Sequence, residues 1–248
     1  MRQEWRYFLL AVGFFTRIPV PSLPDFDESE LNRSVKYFTL IGVVVGAIAA
    51  LVFWLAAKYL PIEVAVLLSM IASIYITGSF HEDGLADAVD GLGGGWDKEQ
   101  VLTIMTDSRI GSYGSAALIL GLLTKFEALI HLPVAQIPLV LIAAHALSRW
   151  AATLVIYTQE YVRSSGKAKP LATQLTFAEL AFASVFGLAP LALLSCSALW
   201  ALLPVAVIWL WFSRKLKQRL GGYTGDCLGA MQQLTELTFY IAILGFTA

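Results

Sequence analysis

Charge is scarce in this chain. Asp, Glu, Lys and Arg make up 14% of the 248 residues, against about 25% in soluble domains. The net charge of −1 includes no basic excess, which argues against nucleic acid as a partner. There are two cysteines, Cys196 and Cys227, without metal-binding spacing and with no expectation of a disulfide. No cleaved signal peptide is expected from the N-terminal run. Arg2 and Arg6 precede an apolar run, but Arg17 and the prolines Pro19 and Pro21 follow it instead of a small-residue cleavage site. No polar stretch longer than the one around residues 81–112 interrupts the chain, so no separate soluble domain is expected.

The chain is instead rich in apolar residues, at 58% with a mean hydropathy of +0.71. Soluble domains average about 45–50% apolar. The expected class is all-α: a polytopic membrane helical bundle, residues 1–248 forming a single integral-membrane catalytic domain. About seven apolar segments are long enough, or nearly so, to cross a bilayer. They lie near 38–58, 62–80, 113–130, 134–157, 178–195, 197–212 and 227–246. The run Phe8 to Phe15 is too short and reads as an interfacial or re-entrant helix. Pro190 and Pro204 interrupt the fifth and sixth spans.

Basic residues set the orientation. Arg33, Lys36, Lys98, Arg109, Arg163, Lys167, Lys169, Arg214, Lys215, Lys217 and Arg219 fall on alternate connectors. The connectors between them carry almost no Lys or Arg. The positive side is expected to be cytoplasmic, in a bacterial inner membrane, and seven crossings leave the C-terminus outside. The lipid bilayer is then the first partner.

The run Glu82-Asp83-Gly84-Leu85-Ala86-Asp87-Ala88-Val89-Asp90-Gly91 places four carboxylates at the end of the second span. If the helix continues, Asp83, Asp87 and Asp90 share one face at i, i+4 and i+7. Like charges so close repel, and near a bilayer each is costly. A divalent cation such as Mg²⁺, which prefers hard oxygen ligands, relieves that repulsion. The alternative is a solvated turn. Gly91-Leu92-Gly93-Gly94-Gly95 offers backbone N–H groups to a phosphate. His81 reads as a metal-steadying donor, a general base or an interfacial side chain. Arg109, beside Asp107 and Ser108, reads as a phosphate clamp or a positive-inside anchor. Arg149 lies inside the fourth span with His145 one turn earlier, and needs an anionic partner unless it snorkels to the membrane edge. Gly222, Thr224 and Asp226 precede the last span as a turn or a second phosphate or metal ledge, and Glu236 lies deeper in that span. Asp97 to Gln100 reads as a capping box, followed by an apolar face on Val101, Leu102, Ile104 and Met105 able to lie on the membrane.

Phe80-His81-Glu82-Asp83-Gly84-Leu85-Ala86-Asp87-Ala88-Val89-Asp90-Gly91 resembles the signature of the cobalamin synthases, the adenosylcobinamide-GDP ribazoletransferases. Phe15-Thr16-Arg17-Ile18-Pro19-Val20-Pro21, Met105-Thr106-Asp107-Ser108-Arg109-Ile110-Gly111 and Gly221-Gly222-Tyr223-Thr224-Gly225-Asp226-Cys227-Leu228-Gly229-Ala230 agree in order and spacing. Thr39 stands where that family usually has proline, and Thr106 where arginine is common. The resemblance covers the whole chain. It implies joining of adenosylcobinamide-GDP to α-ribazole or its 5′-phosphate, with release of GMP and with Mg²⁺ as cofactor. It further implies metal at Asp83, Asp87 and Asp90, and a proton acceptor in His81 or Glu82. Arg109 and Arg149 would hold the leaving phosphate. Arg17, Asp107, Ser108, Gly222, Thr224 and Asp226 would contact substrate. Homo-oligomers or association with other pathway enzymes stay open. Two rival readings remain. One is a CDP-alcohol phosphotransferase, whose aspartate motif matches loosely. The other is a cation-coupled transporter with the carboxylates as a relay, though no internal repeat supports it.

Overall fold

A computed structural model describes residues 2–22, 27–163 and 175–247. Lys167 and Lys169, counted above toward the positive side, lie outside the described residues. The helices in chain order are α1 (Arg2–Phe15), α2 (Glu28–Ser34), α3 (Phe38–Ala56), α4 (Ile62–Thr77), α5 (Phe80–Gly94) and α6 (Lys98–Ile104). They continue with α7 (Ser112–Ile130), α8 (Ile137–Thr158), α9 (Phe177–Leu188), α10 (Leu202–Leu220) and α11 (Gly225–Thr247). Short 3₁₀ turns precede α3 and link α9 to α10, and Pro190 sits in one of them. Among the described residues the fold is all-helical, as expected.

Among the described residues, fewer helices than the expected seven are long and apolar enough to cross a bilayer. Ser29–Ala56, Ser112–Ile130, Ile137–Thr158 and Cys196–Leu220 are long and apolar enough to cross a bilayer. Helices α4 and α5 reach that standard only as a pair bent by 85°. The segment Phe177–Leu193 is apolar but shorter. Helix α11 has the length, but Asp226, Gln232, Gln233 and Glu236 lower its hydropathy.

The bend after α4 corrects a second expectation. The second span does not run on through the acidic residues. Gly78 and Ser79 both take left-handed backbone, with φ of 69° and 60°, which ends α4 and starts α5 in a new direction. Arg17 lies over this corner. Its backbone N–H donates to the Ile76 carbonyl at 2.7 Å, and a side chain on Gly78 would strike the guanidinium. Helix α5 is therefore not a loop. It packs between α7 and α11, running in the opposite sense to both: Asp90 meets the start of α7, and Glu82 reaches Gln233 in the third turn of α11. At its C-terminal end, Arg219 of α10 donates to the free carbonyls of Leu92 and Gly95.

The glycine run is used for packing rather than for binding. Gly91 to Gly94 are helical, and the Gly95 N–H bonds the Gly91 carbonyl. A Cβ on Gly91 would lie 2.6 Å from Met105 and one on Gly95 2.7 Å from Val101. So the apolar face of α6 turns inward onto α5, with Val101 and Met105 buried, rather than lying on the membrane. The cap of α6 forms as expected: Asp97 accepts from the Gln100 N–H at 2.9 Å, and Gln100 reaches back to the Trp96 N–H.

Candidate active site

The sequence-predicted residues fall into three places. The first is the junction of α5 with the start of α11. Gly84 lets the two backbones touch, since a Cβ there would lie 3.0 Å from the Asp226 carbonyl oxygen. That contact brings Asp226 beside Asp83 and Asp87, close enough for the three carboxylates to repel one another. Arg163 Nη2 lies 2.8 Å from Asp226 Oδ2. Arg163 arrives there because the segment after α8 pairs with the segment before α11: Tyr223 N–H donates to Glu160 O, and Val162 N–H to Tyr223 O, both at 3.0 Å. Gly222 is small for this pairing, because a Cβ would sit 2.1 Å from the Glu160 oxygen. Thr224 accepts from the Cys227 N–H at 3.3 Å and starts α11. The expected ledge at Gly222 and Thr224 is thus a clamp between chain segments, while Asp226 faces the acidic run.

Asp90 departs from its expected role. Its two carboxylate oxygens accept from Gly111 N–H at 2.7 Å and Gly114 N–H at 2.9 Å. It serves as a cap for α7 supplied from another helix, complementing the positive end of the helix dipole. Gly111 and Gly114 leave room for this, as a Cβ on either would fall within 2.4 Å of an Asp90 oxygen. The neighbouring Asp107 and Arg109 bind each other. Asp107 accepts Arg109 Nε at 3.0 Å and Nη2 at 2.7 Å. The adjacent guanidinium holds the Asp107 carboxyl down to about 2. Arg109 and Ser108 are exposed, and the structure does not bring Arg109 to Arg149.

The third place is a buried polar network between α5, α7, α8 and α11. Glu236 pairs with the Lys125 ammonium, lies 3.2 Å from His145 Nδ1, and accepts from Tyr240 and Gln232. Gln232 also donates to Ser148, and Gln233 donates to Gln232 and to Glu82 Oε1, the last at 2.9 Å. Arg149 is 1% exposed, which excludes snorkelling. Its Nη1 donates to the His145 carbonyl at 3.0 Å, and the guanidinium lies over Phe38. Among the described residues no carboxylate reaches it at ion-pair distance. His81 stacks parallel to Phe38. Both His81 and Glu82 are buried. Among the described residues, His81 Nε2, Glu82 Oε2, His145 Nε2 and Arg149 Nε meet no hydrogen-bond partner. Sequence reasoning missed Lys125 and the Gln232-Gln233 pair as members of this network. The available signal was polar residues inside apolar runs, which bilayers tolerate only in the bundle interior.

Asp83, Asp87 and Asp226 supply the oxygen-only chemistry a hard cation prefers. Among the described residues no three His, Cys, Asp or Glu side chains form a ready-made cage.

The sequence profile of the cobalamin-5-phosphate synthase family matches residues 7–244. A protein of Ralstonia pickettii named adenosylcobinamide-GDP ribazoletransferase is 44% identical, covering 99% of this chain and 98% of its own. Proteins of the same name from Shewanella woodyi and Shewanella frigidimarina are 46% and 45% identical, covering 100% and 98% of this chain and 98% and 95% of their own. No solved structure matches. With a family profile spanning nearly the whole chain, and relatives this similar end to end, the chain belongs to the cobalamin-5-phosphate synthase family.

Proposed function

We propose that this protein transfers the phosphate-linked cobinamide of adenosylcobinamide-GDP to a ribose hydroxyl of α-ribazole, or of its 5′-phosphate. The hydroxyl oxygen forms a bond to the phosphorus nearest the cobinamide. The bond from that phosphorus to the bridging oxygen breaks, and GMP leaves with its phosphate. The hydroxyl proton passes to a base. The observation that carries the reading is the close approach of α5 at Gly84 to Asp226, which sets the Asp226 carboxylate, paired with Arg163, within electrostatic reach of Asp83 and Asp87. It lies within a chain similar end to end to proteins named for this transfer.

A pyrophosphate donor needs its charge offset in the transition state. Asp83, Asp87 and Asp226 would hold Mg²⁺. When bound, the cation supplies positive charge toward the phosphates. Arg163, rather than the exposed Arg109, is the guanidinium positioned beside these carboxylates, and it offers a fork for phosphate oxygens. Asp90 keeps the start of α7 in place. The buried network fixes α5 against α11 and so holds the spacing of the two carboxylate-bearing helices.

The cytoplasmic face of a bacterial inner membrane is the proposed location. Arg214, Lys215, Lys217 and Arg219 end α10 immediately before Asp226, so the carboxylates stand at the positive end of the bundle. The test is incubation of the purified protein with adenosylcobinamide-GDP, α-ribazole and Mg²⁺. GMP release dependent on all three is expected. Absence of GMP, with cation flux in proteoliposomes instead, would replace the transferase by a transporter.

A further inference from the structure

We propose that the groove between the C-terminal ends of α8 and α10 binds the phosphate headgroup of one anionic phospholipid, whose acyl chain lies along the exposed face of α10. The two helices approach each other little, and two side chains bridge them. Trp209 Nε1–H donates to Ala151 O at 2.9 Å, and the Gln159 amide donates to Ser213 O at 3.0 Å. The groove has a volume of about 500 Å³, within the range of about 300–1,000 Å³ of small-molecule sites. Trp209 and Leu210 line its apolar part, and Arg214, Lys217 and Gln218 its polar part.

The pattern along α10 identifies the ligand class. Leu203, Val207, Leu210, Arg214 and Lys217 follow one another at i, i+4, i+7, i+11 and i+14 and so share one face of the helix. All five are exposed. The first three are aliphatic and the last two cationic, in a segment long and apolar enough to cross a bilayer. At the helical rise, Leu203 lies about 16 Å from Arg214. That is close to half the hydrocarbon core of about 30 Å. An acyl chain anchored by its phosphate at Arg214 therefore meets apolar surface through the depth of one leaflet. A water-soluble phosphate ester has no use for that stripe.

Two of the four cations near the end of α10 are committed elsewhere. Arg219 donates to the Leu92 and Gly95 carbonyls, and Lys215 lies over the Trp211 ring. Among the described residues no carboxylate pairs with Arg214 or Lys217, and residues 164–174 contain no Asp or Glu. The negative end of the α10 dipole accounts for cations in the last turn, Lys217 and Arg219, but it falls off before Arg214. Cations three residues apart on one face lie within reach of a single phosphate, and the guanidinium fork holds two of its oxygens. Basic pockets between spans hold anionic headgroups in this way.

The test is a titration of the purified, delipidated protein in detergent with phosphatidylglycerol or phosphatidylcholine of the same acyl chains, read by native mass spectrometry. One phosphatidylglycerol is expected to bind at least tenfold more tightly than phosphatidylcholine. Arg214→Gln and Lys217→Gln should each weaken phosphatidylglycerol binding about fivefold, the worth of one cation beside an anionic headgroup. The double variant should bind the two lipids alike. Both side chains are exposed, so melting in detergent should not change, and the single variants carry the test if the double variant fails to insert. Lys215→Gln removes the same charge about 100° round the helix from Arg214 and should weaken binding less than twofold. Equal binding of the two lipids by the wild type overturns the proposal. A loss in Lys215→Gln as large as in Arg214→Gln assigns the effect to diffuse surface charge and overturns it too. Glycerol 3-phosphate should not displace the bound lipid at millimolar concentration. Displacement from the wild type would make the groove a site for soluble phosphate esters and likewise overturn the lipid assignment.

Discussion

Substitution of Asp90 by asparagine separates two roles that the acidic run combines. On spacing alone, Asp90 is the third metal carboxylate. In the structure both its oxygens accept N–H groups at the start of α7, at 2.7 and 2.9 Å. The asparagine side chain would keep one acceptor and turn an amide N–H₂ toward the other donor. One hydrogen bond to a charged acceptor is lost, about 1.5–3 kcal/mol. The helix dipole loses its negative partner, about 0.3–1 kcal/mol. Together Asp90→Asn should cost about 2–4 kcal/mol, a fall in melting temperature of roughly 4–16 °C for a chain of this size. At temperatures where the variant is folded, its Mg²⁺ concentration for half-maximal GMP release should equal that of the wild type. Asp83→Asn, Asp87→Asn and Asp226→Asn should respond to Mg²⁺ in the opposite way. Each should need at least tenfold more Mg²⁺ for half-maximal rate; Asp83→Asn and Asp87→Asn should show little thermal loss, since each relieves repulsion, whereas Asp226→Asn also gives up the ion pair with Arg163 and should melt lower. The assays are GMP release against Mg²⁺ concentration and melting in detergent, for all four variants. An Asp90→Asn protein that melts like the wild type but needs far more Mg²⁺ refutes the cap argument and returns Asp90 to the metal. Unchanged Mg²⁺ dependence in the other three removes the metal site from this junction.

Lys125→Met leaves the Glu236 carboxylate buried without its ammonium and should cost about 3–5 kcal/mol, while Lys125→Met with Glu236→Gln should recover part of that loss. A double-mutant cycle of detergent melts measures it, and strictly additive losses would deny the coupling. Arg149→Lys removes the planar group that lies over Phe38 and reaches His145. Turnover should drop at least tenfold with normal membrane insertion, and near-wild-type turnover would leave Arg149 only a packing role. The connectors at Gln136 and Ser197 should face the periplasm, so single cysteines there, in a background lacking Cys196 and Cys227, should react with impermeant maleimide added outside intact cells. Reaction only after the cytoplasm is opened would reverse the orientation.

The sequence by itself determined the fold class and the family. Scarce charge and long apolar runs require helices whose backbone groups are satisfied within the segment. Carboxylates are so costly near a bilayer that a cluster of them marks function whatever its exact fold. The motifs around Arg17, His81, Asp107 and Asp226 pointed to the family by their resemblance, in order and spacing, to its signature. Only the tertiary structure decided which motif does what. Asp83, Asp87 and Asp90 are indistinguishable by spacing, yet two face Asp226 while the third caps α7. That division depends on the bend at Gly78 and Ser79 and on which helices α5 meets after it, and neither is encoded in a period of 3.6 residues. Likewise, Lys125 and Glu236 are separated by 111 residues, so their pairing follows from the packing of α7 against α11. Local pattern fixes which face of a helix is polar. Which polar groups meet is set by long-range packing, through the requirement that a charge buried in the bundle find its partner.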